Sequence, residues 1–399
     1  MAGTQHFSKG WKAFVVTMML ISGTVTVVTT AAMFQLKSLG IMDDVHYFKK
    51  PWFETLAMFI GMFLCLFWHF LNVACARKKK DTLLPPNEPA LNSTSADSDK
   101  AEQGSYGAVP PKEEKPKEMA GWKKYMAFAI PATCDLIATT LMYIGLMYTT
   151  ASVFQILRGF MVVMTCILNL TFMKRKMRPY KFVGVGVVLM GLVLVGVSLV
   201  FDPTHQETTE GGSPIIGILL IIGAQLVQGT QIVIEEVLLS NLKAPPLLIV
   251  GMEGFWGILE MSIMLTVVYF VPGKDIGGHW ENTLDTFVML SNDWVLVMTL
   301  VFYFFAILFY NYFGMCVTQA LSSVNRTIIE SARTACIWVT DLLLYYVITA
   351  GTYYQIGEWW TDWSVLELLG FLVVFAGTMI YNDWLIIPGM NYMPFPPKK

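Results

Sequence analysis

The sequence predicts an all-α polytopic membrane protein with ten transmembrane helices in two inverted five-helix repeats. Hydrophobic residues make up 55% of the chain and charged residues 14%, whereas soluble domains carry roughly 25% charged residues. The apolar residues form continuous runs, each long enough to cross a hydrocarbon layer about 30 Å thick. Barrel strands would be shorter and would alternate with polar residues, so the runs indicate helices.

Each half of the chain holds five runs of spanning length. They cover residues 12–36, 52–75, 122–148, 150–172 and 180–201, and then 214–240, 247–271, 294–318, 324–349 and 364–386. The first run is long for a signal-peptide core, and no small-residue cleavage site follows it. We therefore expect it to be retained as the first helix.

Polar segments divide these helices into groups. The predicted organisation is helices 1 and 2 of repeat one in 1–76, a linker in 77–121, helices 3–5 in 122–202, a luminal loop in 203–213, repeat two in 214–386, and a cytosolic tail in 387–399. The linker is rich in Pro, Ser and charged residues and nearly free of aromatic ones, so we expect disorder. Its Tyr106-Gly107-Ala108-Val109 resembles a tyrosine-based endolysosomal sorting signal that would bind a sorting adaptor, although four-residue patterns also occur by chance.

The distribution of lysine and arginine indicates the orientation. If the N-terminus is cytosolic, 21 of the 27 basic residues fall in cytosolic segments, Arg326 close to the start of helix 9 among them. The opposite side holds four: Lys37, Lys49, Lys50 and Lys274. The remaining two, Arg158 and Arg333, lie within helices. This asymmetry predicts that both termini are cytosolic.

Weak similarity links the two halves. Ser152-Val153 and Ser323-Val324 open helices 4 and 9, and the glycines of 183–191 align with those of 369–377. Because each half has five spans, the second half starts on the opposite side of the membrane, which would make the repeats inverted, as in many secondary transporters. Close helix packing through small residues is the alternative explanation for the glycines.

Ionisable side chains inside a membrane are costly and tend to face a partner or a solute pathway. Polar and ionisable residues within the predicted helices therefore form the candidate substrate-binding set: Asp135, Tyr143, Gln155, Arg158, Glu236, Glu253, Asn311, Glu330 and Arg333.

Two features of this set allow alternative interpretations. Glu330 and Arg333 are three residues apart on one helix, so they could form a self-contained ion pair. Arg158 has no local counter-charge, so it is expected either to pair with a carboxylate, for which Asp135, Glu236 and Glu253 are the candidates, or to line the pathway. The two roles are compatible if the arginine exchanges partners during transport.

Other classes of function find little support in the sequence. Intramembrane enzyme chemistry would need an Asp pair, a His-rich metal set or a Ser-His constellation. Of the five histidines only His69 could lie in a helix, and it has no obvious partner; no CxxC pair and no phosphate-binding Gly-Lys motif exist. We therefore expect no enzyme activity, metal or cofactor, and no nucleic-acid partner. The expected partners are a small-molecule substrate and the lipid bilayer, and the oligomeric state stays open. A non-transporting scaffold or receptor is the alternative function.

Several segments carry a family resemblance: 131–135, 140–143, 151–159, 231–236, 251–257, 331–334 with 337–338, and 369–371 with 377–378 and 381–382. They resemble the drug/metabolite transporter superfamily, and within it the F6 branch of solute carrier family 35, which is related to the chloroquine-resistance-transporter-like proteins. The linker is longer here. The resemblance implies ten helices in two inverted repeats, alternating access, and residence in an endomembrane, most often lysosomal or vacuolar. It leaves the substrate open among metabolites, nucleotide sugars, amino acids, peptides and cationic drugs.

Overall fold

The computed structural model describes residues 7–83, 121–148, 157–174, 177–201, 214–242, 244–348, 350 and 359–390. Most of the predicted linker, the sorting-type motif at Tyr106 and the candidate residue Gln155 lie outside these ranges. The described part of the chain is almost entirely helical.

The helices follow the apolar runs of the sequence. In the first half they are α1 (Lys9–Gln35), α2 (Pro51–Leu83), α3 (Gly121–Ala127), α4 (Ala129–Tyr148), α5 (Phe160–Thr171) and α6 (Pro179–Phe201). In the second half they are α7 (Pro214–Asn241), α8 (Pro246–Phe270), α9 (Thr283–Asn292), α10 (Trp294–Ala320), α11 (Ser323–Leu343) with a π-helical turn at Leu344–Ile348, and α12 (Ser364–Tyr381). The second helix continues through Leu83, inside the segment assigned to the linker.

Eight helices in the described ranges are long and apolar enough to cross a membrane: α1, α2, the α3–α4 segment Tyr125–Leu146, α6, α7, α8, α10 and α12. Of the two other predicted spans, α5 is a shorter apolar helix of 12 residues, and α11 is 21 residues long but carries several charged side chains. Large apolar side chains such as Phe67, Phe172 and Phe270 are exposed on the outer surface of the bundle. The protein is therefore a multi-pass helical membrane protein.

Glycines allow the closest helix contacts. A Cβ atom added at Gly191 of α6 would lie 2.7 Å from the carbonyl oxygen of Gly370 and 2.7 Å from the amide nitrogen of Val374, both in α12. At the other end of the same contact, Gly184 meets the backbone of Tyr381. The glycines that align between the two halves of the sequence thus pack against each other, and the two helices touch backbone to backbone.

Further helix pairs pack along their length. The most extensive contacts join α6 with α12, α2 with α8, α4 with α7, and α1 with α10. Smaller ones join α5 with α7, α1 with α11, α2 with α10, and α4 with α8. The first half therefore packs mainly against the second half, and the polar residues of both halves face a shared interior.

One end of the bundle carries a cap, formed by a short hairpin and a short helix, that the sequence did not predict. Strand β1 (Lys37–Leu39) pairs antiparallel with β2 (Val45–Tyr47), and the hairpin rests on α9, where Ser38 Oγ donates to the carbonyl of Met289 at 2.7 Å. Helix α9 is amphipathic, with Leu284 and Phe287 exposed and Asp285 buried. Its N-terminus is capped by Asn282, which accepts from two backbone amides.

Candidate functional site

A charged cluster occupies the interior of the bundle, where α7, α10 and α11 meet. Arg326 donates to Glu235 at 2.5 Å and to Glu330 at 3.1 Å. Tyr310 donates to the same Glu330 oxygen at 3.0 Å, and Gln231 donates to Glu235 at 3.2 Å. The guanidinium is thus held between two carboxylates, each of which has a second donor, as buried charges require.

This arrangement corrects two expectations. Arg326 was assigned to a cytosolic segment, yet it lies within α11 and is 7% exposed. The predicted cytosolic segments would therefore hold 20 basic residues rather than 21. Glu330 was expected to pair with Arg333, but its ion pair among the described residues is with Arg326, four positions earlier. Both spacings place side chains on one helix face, and only the packing of α7 against α11 selects the earlier arginine.

A basic region lies further along α11. The guanidinium of Arg333 lies 4.7 Å from the ring centroid of Tyr310, in cation–π geometry, and its side chain packs on Gly23 of α1, where a Cβ would lie 2.7 Å from Cδ. Arg333 is 7% exposed and its Nε has no hydrogen-bond partner. Arg158, just before α5, lies within coulombic reach of Arg333, Tyr310 and Glu330.

An acidic region also lies close to Arg326. Glu253 of α8 is 2% exposed, and its Oε1 has no hydrogen-bond partner. It lies within coulombic reach of Asp135 of α4 and Glu235 of α7, and Arg326 is the basic group nearby. Asp135 is half-buried. The bundle interior therefore has an acidic region, a central ion-paired arginine and a basic region.

Glu236 has a different environment from its neighbour Glu235. Its Oε2 accepts from the backbone amide of Ser323 at 2.9 Å and from the hydroxyl of the same residue at 2.5 Å. Asn169 of α5 donates to that hydroxyl at 2.6 Å. The Glu236 carboxylate thus lies at the N-terminus of α11, where a negative charge complements the positive end of the helix dipole. This geometry joins α5, α7 and α11.

The structure brings most, but not all, of the predicted site residues together. Glu330 is part of the central ion pairs, and Arg333 contacts the ring of Tyr310 beside them. Asp135, Arg158 and Glu253 lie within coulombic reach of the same cluster. Tyr143 lies within coulombic reach of both Asp135 and Arg158. Asn311 donates to the carbonyl of Ile307 in its own helix at 3.0 Å, and Gln155 is not among the described residues.

Three central residues were missing from the predicted set: Glu235, Tyr310 and Arg326. Sequence signals existed for two of them, because Gln231 and Glu235, like Arg326 and Glu330, are four residues apart and so share a helix face. Tyr310 lies in an aromatic run, and nothing in the sequence distinguishes it from its neighbours. In the part of the chain that the structure describes, no group of three His, Cys, Asp or Glu side chains could hold a metal ion.

A second charged cluster holds the cap to the bundle. Lys50 is fully buried and donates to Asp275 at 2.6 Å and to Asp285 at 2.8 Å. His46 of the hairpin contacts the same Asp285 oxygen at 2.9 Å. Burial alone would raise the pKa of Asp285, but hydrogen bonds and charge from Lys50, with the amide of Ile41, outweigh it and hold that pKa below its ordinary value.

Glu281 anchors the start of α2. Its two carboxylate oxygens accept from the backbone amides of Trp52 at 2.9 Å and Phe53 at 2.8 Å, which are otherwise unsatisfied at a helix N-terminus. Burial raises the pKa of Glu281 from an ordinary 4.5 to about 8, in spite of these bonds. The cap is thus held by ion pairs and hydrogen bonds at one end of the bundle.

Comparison with known proteins adds an independent line of evidence. The EamA-like transporter family matches residues 108–197. The chain is 28% identical to solute carrier family 35 member F6 of Rattus norvegicus over 93% of this chain and 88% of the relative, and 28% identical to that of Homo sapiens over 93% and 89%. An uncharacterised protein of Schizosaccharomyces pombe is 25% identical over 67% of this chain and 76% of its own. A crystal structure of another protein, 10% identical, has the same fold with a TM-score of 0.52, covering 94% of this chain and 96% of that one.

Proposed function

Because this chain belongs to the drug/metabolite transporter superfamily and is similar to solute carrier family 35 member F6, we propose that it is a secondary transporter that moves a small solute across an endomembrane by alternating access. The observation that carries the proposal is the charged cluster inside an apolar bundle. Charged groups at membrane depth are costly, and a protein that only spanned or anchored would gain nothing from two buried arginines and a third that is partly buried.

The proposed architecture is ten spans in two inverted repeats, with α5 and α11 completing the eight long apolar helices. In this scheme α1, α2, α4, α5 and α6 correspond to α7, α8, α10, α11 and α12. The observed contacts support it, because they are symmetric under this exchange. The α1–α10 contact corresponds to α7–α4, α1–α11 corresponds to α7–α5, and α2–α10 corresponds to α8–α4. The α2–α8 and α6–α12 contacts correspond to themselves.

The proposed transport site is the polar interior between the repeats. Inverted-repeat carriers bind substrate near the bilayer midplane at the repeat interface. The acidic and basic regions fit that position because they combine Asp135 and Arg158 from repeat one with Glu253 and Arg333 from repeat two. A rocking movement of one repeat against the other would change the access to these four side chains, and coupling to a second ion or to a proton would act through the same carboxylates.

The proposed orientation has both termini in the cytosol. After the correction for Arg326, 20 basic residues lie in cytosolic segments and four lie on the other side, which still supports this threading. The ion-paired cap then faces the lumen. Residence in a lysosomal, vacuolar or related membrane is proposed from the resemblance, and the motif at Tyr106 is the proposed sorting element.

Uptake of a metabolite library into proteoliposomes tests the function. Purified protein is reconstituted, and accumulation of each compound is measured with and without an imposed pH gradient, against protein-free vesicles. The proposal predicts saturable accumulation of at least one small solute. Folded, reconstituted protein that accumulates no compound under either condition would favour the scaffold or receptor function instead.

A further inference from the structure

His46 of the hairpin has a hydrogen-bond acceptor at each of its two ring nitrogens. Its Nδ1 lies 3.2 Å from the backbone carbonyl oxygen of Asp44, and its Nε2 lies 2.9 Å from Oδ2 of Asp285 in α9. A carbonyl and an ionised carboxylate cannot donate, so each contact is a hydrogen bond only if the ring nitrogen carries a hydrogen. A neutral imidazole has one N–H, and an imidazolium has two. Both contacts are therefore satisfied only when His46 is protonated.

The charges beside His46 leave room for one more positive charge. Lys50 donates to Asp275 at 2.6 Å and to the same Oδ2 of Asp285 at 2.8 Å. One ammonium between two carboxylates leaves this group with a net charge of −1, and a proton on His46 brings it to zero. Although burial alone would raise the pKa of Asp285, hydrogen bonds from Lys50 and from the amide of Ile41 hold it below its ordinary value. The acceptor for His46 therefore stays ionised in acid.

The other ionisable side chains of the hairpin lie away from this group. Successive strand residues point to opposite faces, and the buried Ser38 pairs with His46 on the face towards α9. On the outer face, the ammonium of Lys37 lies 4.5 Å from the ring centroid of Tyr47. Among the described residues, the charged groups around His46 come from every element packed against it: the exposed Asp43 and Asp44 of the hairpin turn, Asp285 of α9, Lys50 before α2, and Asp275 between α8 and α9.

The contact of His46 with Asp285 joins the two halves of the chain. The hairpin connects α1 to α2, whereas α9 lies between α8 and α10. The approach is close, because a Cβ atom at Gly40 would overlap both Cε1 of His46 and Oδ1 of Asp285. Further hydrogen bonds between the hairpin and α9 come from a serine hydroxyl, a backbone amide and an asparagine amide, which do not titrate between about pH 5 and pH 8.

We propose that His46 is a proton-binding site that fastens the cap: a proton on its ring completes the hydrogen bonds between the hairpin and α9 and favours the closed cap. Histidine is the side chain whose charge ordinarily changes between about pH 5 and pH 8. The side chain of His46 is 19% exposed, so water can deliver the proton. In the proposed orientation the cap faces the lumen, and an acidic lumen then keeps this end of the bundle closed. The proton site itself depends neither on that orientation nor on transport.

Hydrogen–deuterium exchange tests the proposal on purified protein. Wild type and His46→Gln are labelled at about pH 5.5 and about pH 7.5, and the protection of residues 37–47 is corrected for the intrinsic effect of pH on exchange. Glutamine can donate to Asp285 but cannot take up a proton. We expect protection of the wild-type hairpin to be roughly threefold to tenfold greater in acid, as for one charge-assisted hydrogen bond, and this gain to be lost in His46→Gln. Equal protection of the wild-type hairpin at the two pH values would overturn the proposal.

Two further variants assign the effect to His46. Burial raises the pKa of Glu281 to about 8, so this cap residue also titrates in the range, and Glu281→Gln should keep the acid protection of the hairpin because His46 is intact. Loss of that protection in Glu281→Gln would assign the effect to Glu281 and overturn the proposal, even if His46→Gln does not fold. The matched control is His69→Gln in α2, whose ring lies 5.5 Å from that of Phe70; it should behave as wild type.

Transport measurements separate this inference from the proposed function. For a solute that the library identifies, acid on the side of the cap should slow uptake by wild type more than uptake by His46→Gln, because the protonated cap resists opening. Equal slowing of the two proteins would overturn the link between the proton and opening. Uptake of no solute at all would count against the transporter proposal alone, since the exchange measurements need no transport and decide the proton site by themselves.

Discussion

Removal of the Arg326 side chain should be among the most destabilising changes in the bundle. Its guanidinium is bound to Glu235 at 2.5 Å and to Glu330 at 3.1 Å, and the side chains of these three residues are 8%, 2% and 11% exposed. Arg326→Met leaves two buried carboxylates without their cation. Breaking a buried ion pair on one side costs about 3–5 kcal/mol, which corresponds to a fall in melting temperature of roughly 10 °C.

The assay is thermal unfolding of detergent-purified protein, followed by the fraction that stays monodisperse in size-exclusion chromatography. A triple variant that also carries Glu235→Gln and Glu330→Gln should recover most of the loss, because no buried charge is left unpaired. Lys174→Met is the matched control: it removes an exposed positive charge and should change little. A melting temperature for Arg326→Met within about 1 °C of wild type would show that the guanidinium is not needed to compensate the two buried carboxylates.

Three further predictions concern the rest of the fold. Lys50→Met should destabilise the cap by about 3–5 kcal/mol, because it leaves two carboxylates without their buried cation, whereas Lys49→Met next to it changes an exposed side chain and should be nearly neutral; thermal unfolding measures both. Gly191→Ala should destabilise by about 1–3 kcal/mol, because the new methyl overlaps the backbone of α12, while Gly186→Ala in the same helix, with open space around it, should stabilise by up to about 1 kcal/mol. Glu281 should make the cap less stable as the pH rises. Its pKa in the folded protein is raised to about 8, so its contribution to folding stability is complete below its unfolded pKa of about 4.3 and is lost as the pH rises through the folded value. Glu281→Gln should therefore flatten the decline in melting temperature between about pH 5 and about pH 8.

Each of these has a contradicting outcome. Equal melting temperatures for the two lysine variants would mean that the buried ammonium does not hold the cap. If Gly191→Ala were as stable as Gly186→Ala, the two helices would not meet at their backbones. A wild-type and a Glu281→Gln protein with the same pH dependence would remove Glu281 as the titrating group.

The apolar spans could be predicted because the bilayer imposes both their length and their composition. Helices α1, α2, α4, α6, α7, α8, α10 and α12 each overlap a predicted run, and their ends differ from it by up to eight residues, the largest difference being at the end of α2. The cap could not be predicted in this way. Its strands are three residues long, and α9 is a surface helix of ten residues whose apolar face is too short to read as a span.

The sequence indicates which helices carry polar residues into the interior, but not which carboxylate pairs with which arginine. Charged residues inside the apolar runs identified the helices that contribute side chains to the polar interior, since such residues are rarely tolerated in a membrane span unless they face the interior of the bundle. Which carboxylate meets which arginine depends on how each helix is rotated about its axis, and a single sequence does not contain that rotation. Arg326 is the clearest case: it lies in the first turn of α11, inside the predicted run 324–349, yet it was counted with the cytosolic segments.

If the polar interior is the solute pathway, substitution of Arg158 should impair transport. Arg158→Lys keeps the charge but loses the planar fork of donors, and Arg158→Ala loses both. Transport of a solute found in the library is measured in proteoliposomes at matched amounts of folded protein. Both variants should reach the bilayer at near-normal levels and transport poorly, with the lysine variant less impaired. An Arg158→Ala protein that is well expressed and transports at the wild-type rate would contradict this expectation.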